Sequence, residues 1–189
     1  MQIPRQTVEI FETLSKGQFI CSNSSFDLTR RLYEVIDEYF DDLHEYFQGI
    51  NFILERGDEY FCFSRAESKV DLERKIETAF KWIDILDFLK TFDNSFGSGF
   101  RFTPSDILVK LNIDAELKTK LDGLKKHGGG KEKYDEIIEK VLDLLAKDNF
   151  IEIENEISNT YKVIASFNYL EKLVMAINIP EEVKNEIPE

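Results

Sequence analysis

Twice along this chain, sequence with helical spacing runs into a pair of short alternating strands. The first pair is NFILE and EYFCFS, joined across Arg56-Gly57-Asp58; the second is FIEIE and TYKVIA. Short apolar-rich runs on either side of a turn signal read as β-hairpins. Ahead of the first hairpin, a helix over residues 5–15 offers Val8, Ile10, Phe11 and Leu14 as its apolar side, with Gly17 as its stop. QFICS at 18–22 reads as a short strand. Ser24-Ser25-Phe26-Asp27 fits a capping box, opening one helix over about 27–48 with Leu28, Leu32, Ile36, Leu43, Tyr46 and Phe47 at helical spacing.

Ahead of the second hairpin, Thr103-Pro104-Ser105-Asp106 is a strong helix start: an N-cap threonine, proline at the first helical position and an acid at the third. That helix runs to about Leu111, another spans 114–124, and a third carries Tyr134, Ile137, Ile138, Val141, Leu142 and Leu145. Between the two halves, Ser64-Arg65-Ala66-Glu67 reads as a capping box for a long helix ending near Phe92. Its later turns, with Phe80, Trp82, Ile85 and Leu89, are apolar nearly all round, which predicts burial on several sides. FDNSFGSGF is a loop, and residues 166–177 form a closing helix.

Helix, strand, helix, hairpin over 5–64, and helix, helix, helix, hairpin over 103–165, is the winged-helix pattern written twice. The expected fold is therefore mainly α with small β-hairpins (α+β), as tandem winged-helix domains joined by a long central helix. The divisions expected are 1–64 for the first lobe, 65–100 for the linker helix and loop, 101–178 for the second lobe and 179–189 for a flexible tail.

The chain has 189 residues, 42% of them apolar, enough for a buried core. Its 24 basic against 37 acidic residues give a net charge of −13. That excludes a uniformly basic nucleic-acid binder and a polybasic membrane-surface protein. Cys21 and Cys62 do not make a disulfide scaffold and read as buried thiols in a reducing cytosol. The opening residues lack an apolar signal core, and no window approaches the length of a membrane span. A cytoplasmic protein is expected.

Chemistry is sparse. His44 lies on a helix among carboxylates and His127 in a Gly-rich connection; both read as solvated. No nucleophile has a base and an orienting acid at a revealing spacing, so no catalytic residue is assigned. Gly128-Gly129-Gly130-Lys131 is followed by glutamate and preceded by a helix, so it reads as a linker and not a phosphate loop. The acids from Glu34 to Glu45 lack calcium-loop spacing, and the cysteines and histidines lack zinc spacing. No metal and no cofactor are expected.

Charge is uneven. Residues 1–62 carry 5 basic and 12 acidic side chains, and residues 150–189 carry 3 and 8. The helix over 27–48 holds seven acids against Arg30 and Arg31, and the helix after the glycines is also acid-rich, so neither suits groove reading near phosphates. This weighs against the alternative function, a winged-helix DNA-binding transcription regulator. The positive island is Lys110, Lys118, Lys120, Lys125, Lys126, Lys131 and Lys133 against four acids. Arg65, Lys69, Arg74 and Lys75 form a weaker one. These are the candidate DNA-binding residues, suited to non-specific phosphate contact.

The strings YFCFSR, VDLERKIETAFKWIDILDFLKTFDNSFGSGFRFTPSDILVKLN and FIEIENEISNTYKVIASFNYLEKLV resemble the MksE/MukE-type "kite" subunits of bacterial condensins, over about residues 8–178. The resemblance implies a non-enzymatic subunit of an SMC complex that forms a homodimer and binds the kleisin (MksF/MukF-like). Through the complex it meets the SMC ATPase (MksB/MukB-like), which owns the ATP chemistry. It further implies weak non-specific DNA contact, no membrane, a nucleoid-associated location, and a role in chromosome organisation and segregation or in plasmid defence.

Overall fold

A structure was obtained as a computed structural model, which describes residues 3–64, 69–127 and 132–177, the side chains of 69–79 and of 177 excepted. Among the described residues the fold is mixed α/β, with eight α-helices and two small antiparallel sheets.

The first half runs α1 (Thr7–Leu14), β1 (Ile20–Cys21), α2 (Asp27–Glu38), α3 (Phe40–Gln48), β2 (Ile53–Arg56) and β3 (Tyr60–Ser64). Its sheet has the order β1-β3-β2, with Ile20 opposite Phe61 and Leu54 opposite Phe63. Ile10, Leu14, Ile36, Leu43, Phe47 and Phe61 close its core, each at most 1% exposed. The single helix expected over 27–48 is broken at Tyr39, which leaves helical geometry (φ −110°, ψ 27°). Unbroken, those 22 residues would extend about 33 Å, past a core this small. The break lets α2 lie on β1 while α3 lies on β2. Val8 (65% exposed), Leu28 (63%) and Tyr46 (40%), expected on the buried faces, are on the surface.

The second half begins with α4 (Lys69–Phe92), a 24-residue helix. Of the capping box expected over Ser64 to Glu67, residues 65–67 lie outside the described residues. In its later turns Trp82, Ile85, Phe88 and Leu89 are buried against α6 (Ala115–Gly123) and α8 (Phe167–Ile177). Phe80 is not: it is 57% exposed. A helix lying on two neighbours keeps a solvent face, so the near-continuous apolar run overstated its burial.

β4 (Arg101–Phe102) precedes α5 (Pro104–Leu111), where Thr103 and Asp106 form the expected reciprocal cap. α6 leads through a short 3₁₀ turn (Leu124–Lys126) toward α7 (Tyr134–Lys147), β5 (Ile151–Asn155) and β6 (Thr160–Val163). The second sheet is ordered β4-β6-β5. β4 was not anticipated; it is two residues long and exists by pairing Arg101 with Lys162 and Phe102 with Tyr161. The loop before it is well anchored, because Phe96 is fully buried among Phe100, Phe102 and Phe167. Of the segments expected to be linker or tail, residues 128–131 and 179–189 lie outside the described residues.

Candidate functional site

Two polar arrangements stand out from the apolar packing. The first joins the halves. Phe19, Cys21 and Tyr60 of the first half belong to the core of the second, with Phe19 against Phe150 and Tyr169. Around them the loop after β1 is held by side chains from far along the chain. The Phe19 N–H donates to Asn149 Oδ1 (2.9 Å), and the Ala165 N–H donates to Asn23 Oδ1 (2.8 Å). Buried Glu152, on β5, accepts from the Ser24 hydroxyl (2.8 Å to Oε1, 3.0 Å to Oε2) and from the Ser25 N–H (2.6 Å). A buried carboxylate survives only when its lone pairs are met, and here they are met by the opposite half.

This arrangement overturns the capping box read at Ser24. The N-cap of α2 is Phe26, without a side-chain cap, and the Ser24 oxygen accepts from the Phe26 N–H (3.1 Å) while its hydrogen is given to Glu152. Cys21 lies beneath the same seam, where burial pushes its thiol up to about 12. Neither cysteine is in a disulfide.

The second arrangement runs along α4. Lys120 reaches Asp87 (2.8 Å), Glu116 (3.1 Å) and the Thr91 hydroxyl (2.8 Å). Lys126 pairs with Asp84 (2.7 Å). His127, expected in solvent, places Nε2 3.0 Å from the same Asp84 carboxylate. Burial works to raise the Asp84 pKa, but hydrogen bonds from Lys126 and His127 outweigh it and hold the carboxyl below its usual range. Lys110 donates to the Thr91 and Phe92 carbonyls at the end of α4, which serves as a C-cap. Lys90 does similar work from within the helix, pairing with Glu171 and donating to the Phe96 carbonyl (both 2.6 Å).

The sequence island of positive charge is therefore laced largely onto the protein itself. Lys125 pairs with Asp122 (2.8 Å), and both Lys118 and Lys125 lie over the Tyr134 ring at 5.6 and 5.9 Å. Lys133 is near Glu136 at 3.8 Å but is 76% exposed, and Lys126 is 62% exposed. Lys118, Lys126 and Lys133 are the outward members. Lys131 and Arg65, and the side chains of Lys69, Arg74 and Lys75, lie outside the described residues. Asp84, Asp87 and Thr91 recur at i, i+3 and i+7 on one side of α4, a spacing that would have indicated partners for these lysines.

His44 is half-buried beside the Phe40 ring. Among the described residues no group of three His, Cys, Asp or Glu side chains is placed to hold a metal, and no helix is long and apolar enough to cross a membrane. A cleft of about 550 Å³ lies between the end of α1, the first hairpin and Tyr169 of α8.

No curated protein matches the chain. A family model described as Condensin complex protein MksE matches residues 5–174, nearly the whole of the described fold. With that match over both sheets and the seam between them, the chain belongs to the MksE family of condensin complex proteins.

Proposed function

We propose that this chain is a non-enzymatic accessory subunit of a bacterial condensin, built as two winged-helix lobes. In this reading it forms a homodimer, binds the kleisin and through it meets the heads of the SMC ATPase on the nucleoid, in chromosome organisation and segregation or in plasmid defence. The family match over residues 5–174 carries the proposal. The order α1, β1, α2, α3, β2, β3, with a short third strand beside the hairpin, supports a winged-helix first lobe over 1–64. The order β4, α5, α6, α7, β5, β6 supports a second over 101–178, against which α4 is carried. ATP hydrolysis is left to the partner ATPase.

DNA contact by the subunit alone is weak in this reading. Net charge of −13 opposes approach, and Lys110 and Lys120 are turned onto α4. Lys118, Lys126 and Lys133 remain to follow a phosphate backbone, with Lys125, held by Asp122, and Lys131, Arg65, Lys69, Arg74 and Lys75 as further candidates. Changing Lys118, Lys125, Lys126 and Lys133 together to Glu should weaken DNA binding by the assembled complex on all sequences. It should also flatten the log–log salt dependence by about 0.9 per lost contact.

Co-expression with the kleisin followed by size exclusion with light scattering tests the central claim. The isolated chain should run at about twice 22.1 kDa and co-elute with the kleisin. A monomer that elutes apart from the kleisin refutes it.

A further inference from the structure

The two halves keep separate cores and meet at a neck. Ile10, Leu43 and Phe47 belong to one core, and Trp82, Leu89 and Leu121 to the other. At the neck stands Phe19. Its ring meets Tyr60 and Tyr169 (centroids 5.6 and 5.2 Å), which line the cleft of about 550 Å³. It also meets Phe150 (5.9 Å), beside which a second cleft of about 340 Å³ takes in Phe26, Asn149 and Glu152. The neck therefore has open space on both flanks.

The two flanks are fastened unequally. Next to the smaller cleft the bonds are short and sheltered. Asn149 takes the Phe19 N–H at 2.9 Å, and buried Glu152 takes the Ser24 hydroxyl at 2.8 Å and the Ser25 N–H at 2.6 Å. Parting them would strand a buried carboxylate and its donors. Next to the larger cleft the tip of the first hairpin meets α8 in solvent. Asn168 Nδ2 donates to the Asp58 carbonyl at 3.5 Å and to its carboxylate at 3.4 Å. Those distances are at the limit of hydrogen bonding, and water replaces such a contact at little cost. Behind it, Tyr60 and Tyr169 stand edge to face at 6.2 Å, near the far end of the range for aromatic pairs.

A joint held firmly along one edge and lightly along the other, with space behind the light edge, is a hinge. We infer that the first half swings on residues 19–25, with Asn149 and Glu152 as the axis, and that Asp58 and Asn168 form a catch whose release widens the larger cleft. The swing leaves both cores whole, because neither is divided by the neck. It goes beyond the function proposed above and does not depend on it.

Two measurements on the full chain test this. Cys62 is half-buried and lines the larger cleft, whereas Cys21 is buried beneath the axis. Iodoacetamide at pH 8, read by peptide mass spectrometry, should label Cys62 at least about threefold faster in Asn168→Ala than in wild type. Cys21 should stay protected in both, with melting unchanged. Spin labels at Glu12→Cys on α1 and Lys172→Cys on α8, both exposed positions, report the spacing of the halves in a Cys62→Ser background. Double electron–electron resonance should show Asn168→Ala shifting weight to a longer distance. Unchanged labelling of Cys62 overturns the catch. A single, unchanged spacing overturns the swing even where labelling rises, since fraying of the hairpin tip alone then exposes Cys62. Labelling of Cys21 in step with Cys62 reports unfolding and overturns the hinge as well.

Discussion

Replacing Glu152 by Ala should loosen the joint between the two halves. Glu152 is 7% exposed, and its oxygens take the Ser24 hydroxyl at 2.8 Å and the Ser25 N–H at 2.6 Å. Alanine leaves both donors buried without an acceptor, at ~1–3 kcal/mol each. Allowing for partial rescue by water, the loss is ~2–5 kcal/mol, or roughly 4–20 °C in melting temperature for a chain of this size. Glu152→Gln should cost ~1 kcal/mol or less, since its carbonyl still serves the Ser25 N–H and the Ser24 hydroxyl can turn to accept from the amide. Urea unfolding followed by Trp82 fluorescence and by far-ultraviolet dichroism measures both. Ser24→Ala completes a double-mutant cycle with a coupling of ~1 kcal/mol or more. A Glu152→Ala variant within ~0.5 kcal/mol of wild type, or strict additivity with Ser24→Ala, would refute the reasoning by showing that the seam is energetically idle.

Trp82→Ala should cost ~3–5 kcal/mol whereas Phe80→Ala, at 57% exposure, should stay within ~0.5 kcal/mol; equal losses in thermal melts would contradict the observed orientation of α4. The depressed Asp84 carboxyl contributes stability that is present above its unfolded pKa, near 3.8, and is lost as pH falls through its lower folded value; a flatter stability–pH curve below pH 4 in Asp84→Asn is expected, and an unchanged curve counts against the pairing with Lys126 and His127. Cys21, with its thiol raised to about 12, should resist iodoacetamide at pH 8 until the protein is unfolded, and mass spectrometry showing rapid native-state labelling of Cys21 would be incompatible with its burial.

What the sequence made legible was local. The cap at Thr103, the two hairpins and the apolar side of α7 each depend on residues within a few positions of one another, and each is found in the structure. The misses share a different cause. Ser24 has both a local partner and a distant one, and the buried carboxylate of Glu152 wins because it must be satisfied. β4 is too short to carry a periodic signal and exists only through β6. The break at Tyr39 answers to the size of the core beneath it rather than to any proline or glycine. Lys110 and Lys120 looked outward because Asp87 and the end of α4, which hold them, are remote in sequence. Composition counts such charges correctly but cannot say which way they face.

The seam between the halves also orders events during synthesis. Ser24 and Glu152 are separated by 128 positions, and Asn23 and Ala165 by 142. At ~5–20 residues per second the ribosome needs roughly 6–25 s to supply the second member of the first pair. Through that interval α1 to β3 can gather around Phe47 and Phe61, while the polar groups of residues 23–25 keep company with water and Phe19 waits for Phe150. Docking of the halves is then a late step that closes a very long loop, the kind of contact that slows folding. A nascent chain halted before β5 would present Phe19 and Tyr60 to solvent, and that is the stage at which a chaperone has something to hold.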